Sequence, residues 1–119
     1  MQDISSIAFS SDMWRLYVAD ASRRSIYAYT LDTLGVPCSM YKLAPLHLVH
    51  DCKTIGGMDI CVSSDDRVFV ATELGVQSIC SFGLTDIILP LPGDVPAIRV
   101  WMVEDWLYAE SAEGIVYRR

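Results

Sequence analysis

The chain has 119 residues, 52% of them apolar, and a net charge of −6. The length suits one domain with its own core, and the negative charge disfavours nucleic acid, since the only adjacent basic pairs are Arg23, Arg24 and Arg118, Arg119. No apolar run approaches the roughly 18 to 20 residues of a membrane span. The start, MQDISSIAFSSD, has no export-signal pattern, so a cytoplasmic protein with neither membrane nor nucleic-acid partner is expected. The apolar fraction is high for a small monomer and predicts that some apolar surface meets a partner.

The first stretch, Ile7 to Asp32, predicts three short strands. IAFS alternates, SDMW turns, RLYVA is rich in β-branched and aromatic residues, DASRR turns again, and SIYAYTL alternates once more. TLGVPCS reads as a turn and MYKL as an outer strand. APLHLVHDCKTIGG reads as a strand or long connection ended by the permissive pair Gly56 and Gly57. The next strands are ICVSSDDRVFVA and QSICSFGL, followed by IILPLP as an outer strand whose prolines suit a sheet edge. IRVWMVEDWLYAE and GIVYRR complete the chain, and no segment has the start, stop and period of a helix.

Three segments share one pattern of apolar strand, polar turn and apolar strand: IAFSSDMWRLYVA, ICVSSDDRVFVA and IRVWMVEDWLYAE. The centres of their second strands, Leu16, Val68 and Leu107, are spaced by 52 and 39 residues. Repeats of about 40 to 50 residues with four strands each mark propeller blades. A β-sandwich is the other fold that short, evenly spaced strands suit. The matched repeats favour an all-β propeller architecture of about three four-stranded antiparallel blades, half of a six-bladed ring, within one domain. The blades are expected at approximately 4–50, 51–93 and 94–119, the last with three strands.

The combination of AFS, a turn, LYVAD, a basic turn and IYAY, followed by GGMDICVSSDDRVFVATELGVQSICSFG, resembles the senescence marker protein, gluconolactonase and luciferin-regenerating enzyme family, also known for regucalcin. The likeness runs over roughly residues 3 to 117. It implies a six-bladed propeller that hydrolyses sugar lactones or related esters with one divalent cation, calcium or zinc, which polarises the carbonyl while a carboxylate acts on water or a ring hydroxyl. It also implies three metal ligands: a glutamate near the amino terminus, an asparagine before the AFS-like strand and the aspartate of a proline-aspartate-glycine turn. The glutamate has no counterpart here, Ser5 stands at the asparagine position and Met58 at the aspartate position. A thioether is a poor ligand for a hard cation. Asp59 follows immediately and points to the other strand face unless the register slips at the diglycine, in which case it would serve as metal ligand and catalytic carboxylate.

The remaining candidates have ordinary readings beside them. Asp3, Asp20 and Asp51 are the other carboxylates considered, Asp20 as a turn former. His47 and His50, three apart, fall on opposite faces of a strand and read as separate surface histidines. No GxSxG turn or phosphate loop occurs. Trp14, Trp101 and Trp106 are expected to pack between neighbouring blades, and Arg23 and Arg24 to form a solvated turn. Cys38, Cys52, Cys61 and Cys80 lack metal-type spacing and are expected as buried free thiols, a disulfide being the alternative.

Half a ring leaves an open blade at each end, so the expected partner is a second copy, in a homodimer that completes the propeller; the alternative is that the sequence is part of a longer chain whose earlier blades carry the missing glutamate. The functional expectation is a binding or scaffold module with a degenerate metal site and no cofactor. The alternative is a metal-dependent lactonase, an enzyme with a small sugar-lactone ligand and a calcium or zinc ion held by shifted ligands such as Asp59.

Overall fold

The computed structural model describes residues 4–20, 24–45, 58–80 and 83–119, and within them the chain is all-β apart from one short 3-10 turn at Pro92–Asp94. Three antiparallel meanders follow one another. Sheet 1 is β1 (Ile4–Phe9), β2 (Arg15–Asp20), β3 (Ser25–Leu31) and β4 (Pro37–Pro45). Sheet 2 is β5 (Ile60–Val62), β6 (Val68–Thr72), β7 (Gly75–Ile79) and β8 (Thr85–Leu89). Sheet 3 has three strands, β9 (Ala97–Val103), β10 (Trp106–Ser111) and β11 (Val116–Arg118).

The repeat seen in the sequence is also a repeat of register. Phe9 pairs with Leu16, Val62 with Val68, and Met102 with Leu107, and two residues earlier Ile7 pairs with Val18, Ile60 with Val70, and Val100 with Ala109. Each first hairpin also places a left-handed residue two positions before its second strand: Met13 (φ 66°), Asp66 (φ 62°) and Glu104 (φ 54°). In sheets 1 and 2 the SSD tripeptide builds the turn in the same way. The Ser10 carbonyl accepts from the Met13 N–H and the Ser63 carbonyl from the Asp66 N–H, both at 3.0 Å, while each serine hydroxyl donates to the aspartate two residues on. That hydroxyl holds the Asp12 and Asp65 carboxyls below the usual carboxylate range. Because these groups are depressed in the folded chain, their contribution to stability is present above the ordinary carboxylate pKa and is lost as the pH falls below it.

Side chains alternate between two faces of each sheet, and both faces of sheet 2 are covered. On one side Ile60, Val68, Val70 and Ile79 pack with Tyr17, Ala19, Ile26 and Ala28 of sheet 1. On the other, Ala71 and Val76 pack with Ala97, Val100, Leu107 and Ala109 of sheet 3. All of β7 is buried as a result. Burying side chains of this size stabilises by about 1.5–3 kcal/mol each, which makes the two inter-sheet layers the principal source of stability.

Several expectations change. Arg24 is not a solvated turn residue: its guanidinium is largely buried and paired with Glu73 of the β6–β7 turn, tying sheet 1 to sheet 2. Arg23 lies outside the described residues. Asp20 ends β2 as the LYVAD reading has it, but is fully buried and opposite Ser25. The outer strand of sheet 1 begins at Pro37 rather than Met40, because Ser39 pairs with Thr30 and Pro37 with Leu31 across the ladder. The Leu91 segment leaves the edge after β8 and turns inward, burying Leu91 in the layer between sheets 2 and 3.

Gly75 is the tightest backbone position. Its φ is +104°, and a Cβ there would lie 2.4 Å from the Leu89 carbonyl oxygen and 2.8 Å from the Pro90 Cα. Gly75→Ala is therefore expected to lower stability by at least about 1–3 kcal/mol, measured as a lower urea midpoint at unchanged m-value.

Candidate functional site

The expected ligand positions fall around the start of β5. Ser5 is the extra residue of a β-bulge in β1, between the pairs Ile4 with Asp20 and Ser6 with Ala19, and its side chain lies outside what the structure describes. Met58 is 2% exposed and belongs to the layer between sheets 1 and 2. Its neighbour Asp59 points the other way, as a strand's alternation demands.

Asp59 joins three strands that are far apart in sequence. Its Oδ1 accepts from the Ser6 hydroxyl of β1 at 3.1 Å, and its Oδ2 accepts from the Val100 N–H of β9 at 3.0 Å. The Ser6 Oγ in turn accepts from the Ile60 N–H at 3.2 Å, and the Asp59 carbonyl accepts from Ala71 at 2.9 Å. One carboxylate thus engages the inner strands of sheets 1 and 3 while standing at the head of the inner strand of sheet 2. Charge-assisted bonds of this kind are stronger than neutral ones. Among the described residues no three His, Cys, Asp or Glu side chains converge as a metal-binding group.

Cys61, next to Asp59, is pushed up to about 12, chiefly by burial and secondarily by the Asp59 charge. Cys61 and Cys80 are half-buried free thiols, but Cys38 is exposed on β4, against the expectation of burial, because that strand is an outer edge. Asp3, His47, His50, Asp51, Cys52, Gly56 and Gly57 lie outside the described residues.

The tryptophans have specific surroundings. Trp101 stacks on Tyr108 with ring centroids 5.7 Å apart and 9° between planes, and the Arg99 guanidinium sits 5.4 Å from the Trp101 ring. Arg118 lies 4.2 Å over Trp106. These rings occupy the face of sheet 3 turned away from sheet 2, so they pack within one sheet among the described residues. Trp14 lines a cleft of about 430 Å³ with Phe9, Met13, Asp12 and Asp32, formed by the two turns at one rim of sheet 1. Sequence reasoning missed this cleft because its walls come from turns about 20 residues apart, for which no spacing rule exists.

The chain matches no protein-family model and no curated protein. Solved structures do match. The similarity to a gluconolactonase of Xanthomonas campestris, described as important in glucose secondary metabolic pathways, has a TM-score of 0.77 at 18% identity, covering 97% of this chain and 36% of that one. The three sheets share the fold of part of the gluconolactonase and regucalcin chains. A calcium-binding regucalcin of Agrobacterium tumefaciens matches with a TM-score of 0.75 at 18% identity, over 98% of this chain and 45% of that one. A luciferin-regenerating enzyme matches with a TM-score of 0.68 at 18% identity, over 98% and 44%. The chain therefore spans less than half the length of each of these propeller proteins. No helix among the described residues is long and apolar enough to cross a membrane.

If Asp59 is the clamp that its bonds indicate, Asp59→Ala leaves the Val100 N–H without its acceptor and is expected to cost about 1–3 kcal/mol. Asp59→Asn keeps one acceptor oxygen and should recover part of that loss in the same urea titration. In thiol labelling at pH 8, Cys38 is expected to react quickly and Cys61 slowly, read by peptide mass mapping.

Proposed function

We propose that this chain is a three-bladed propeller segment with a degenerate metal site, which assembles into a closed ring and serves as a binding or scaffold module rather than as a lactone hydrolase. The observation that carries this reading is the engagement of both Asp59 oxygens by Ser6 and Val100. A hard cation such as calcium takes six to eight oxygen donors. Around Asp59 the neighbouring ligand position holds a thioether turned into the core, and the nearest hydroxyl is already donor to Asp59 and acceptor from Ile60. This donor set does not fit a calcium or zinc centre, and a carboxylate committed to backbone and hydroxyl donors is poorly placed to take a proton from water.

The fold likeness supports the architecture and leaves the chemistry to the site. Here the position that resembles a ligand aspartate contributes instead to the apolar layer between sheets 1 and 2, and the adjacent carboxylate holds sheets together. The rim cleft containing Trp14, Asp12 and Asp32 supports a binding role, since an aromatic wall beside carboxylates offers both apolar contact and acceptors.

The test is metal content by plasma mass spectrometry, together with hydrolysis of D-glucono-lactone in the presence of calcium, zinc or manganese. The expected outcome is less than one-tenth of an equivalent of metal and no rate above the uncatalysed one. Stoichiometric metal with lactone hydrolysis that Asp59→Ala abolishes, while the fold persists, would overturn the reading.

A further inference from the structure

The rim cleft of sheet 1 differs in charge from the two clefts between sheets 2 and 3. Arg119 lines both of those, whereas no Lys, Arg or His lines the rim cleft, which holds Asp12 and Asp32. Its walls are two turns fastened to each other. The Leu31 N–H donates to the Trp14 carbonyl at 2.9 Å, joining the end of β3 to the β1–β2 turn. Asp32 Oδ1 accepts from the N–H groups of Leu34 and Val36, both at 2.9 Å. Asp12 Oδ1 accepts from the Trp14 N–H at 3.0 Å and from the Ser10 hydroxyl at 2.6 Å.

Each carboxylate is thus held by one oxygen, and the second oxygen of each takes no hydrogen bond among the described residues. The Ser10 hydroxyl and then the Trp14 N–H hold Asp12 below the usual carboxylate range, so it is charged at neutral pH. Arg15 acts on Asp12 more weakly, and strand alternation puts it on the Tyr17 face of β2, away from Phe9, which pairs with Leu16. Beside the two carboxylates stand large side chains left open to water: Phe9 is 46% exposed, Met13 59% and Trp14 54%. Covering them with an apolar body is favourable, the face of an indole attracts a cation, and a thioether is polarizable.

We infer that this cleft binds a small organic ammonium ion, with the apolar body on Phe9, Met13 and Trp14 and the charged nitrogen facing the free oxygens of Asp12 and Asp32. The inference rests on the binding reading above and names the ligand of the cleft which that reading uses. An anion is repelled by both carboxylates. A bare calcium ion takes six to eight oxygens, and here it meets two carboxylates beside an apolar wall. The volume of about 430 Å³ falls within the roughly 300–1,000 Å³ of small-molecule sites.

The test uses three probes with the same ring and different charge: benzylammonium, benzyl alcohol and benzoate. Each is titrated into the full chain at neutral pH while the indole N–H signal of Trp14, assigned by its loss in Trp14→Phe, is followed by NMR. Benzylammonium is expected to shift that signal saturably and to bind about tenfold more tightly than benzyl alcohol, a preference that shrinks at high salt. Benzoate is expected to leave the signal unmoved. Asp12→Asn and Asp32→Asn keep the acceptor oxygen of each turn and remove its charge, and each is expected to weaken benzylammonium about two- to fivefold with the alcohol unchanged. Equal binding of ammonium and alcohol overturns the inference, and so does a saturable shift confined to Trp101 and Trp106. The charge series on the unsubstituted chain decides the matter even if a substitution unfolds the protein. Asp59 does not line this cleft, so metal-dependent lactone hydrolysis would overturn the function proposed above without altering the ammonium result. Failure to bind ammonium in a metal-free, inactive chain overturns this inference alone.

Discussion

A four-stranded meander with apolar side chains on both faces cannot stand alone in water, and this constraint organises the molecule. Strand alternation assigns Tyr17 and Ala19 to one side of β2 and Leu16 and Val18 to the other, so both sides need cover. Sheet 2 resolves the problem by lying between two neighbours, which is why every residue of β7 is buried. Sheets 1 and 3 each pack one side on sheet 2. Apolar layers have little directional preference, and the Asp59 carboxylate supplies direction by fixing β1, β5 and β9 relative to one another through donors on either side.

The fold was legible because its signal is local. Alternation within five or six residues, the SSD turns and the recurrence of the pattern at Leu16, Val68 and Leu107 all lie within reach of pattern reading. The connections between sheets were not legible, since they join residues with no regular spacing. Ser6 is 53 residues from Asp59, Val100 is 41 away, and Arg24 is 49 from Glu73. Arg24 read as a solvated turn because nothing in DASRR announces that a glutamate from another hairpin will face it. Asp59 was singled out for its place beside Met58, yet its bonds depend on strands that only the folded chain brings together.

The same contrast explains how a chain can share a fold with gluconolactonase and regucalcin at 18% identity. Inter-sheet layers ask only for apolar volume on the correct face, a requirement that many sequences meet. A ligand set asks for particular atoms at particular positions, and a single exchange such as a thioether for a carboxylate changes it completely. Architecture therefore persists under substitutions that alter a site, and likeness of fold is informative about the first and weak about the second.

The outer strand edges show a further economy. Pro37 and Pro45 bound β4 and Lys42 lies along it, Pro90 ends β8, and Arg118 with Arg119 closes β11. Proline removes ladder donors and like charges repel an approaching copy of the same edge, both of which oppose growth of a sheet by strand addition. The strand edges are thus guarded, while the apolar faces meet one another in the layers between sheets. Sheets built this way can add to one another face to face but not strand by strand, which opposes growth into a continuous cross-strand ribbon.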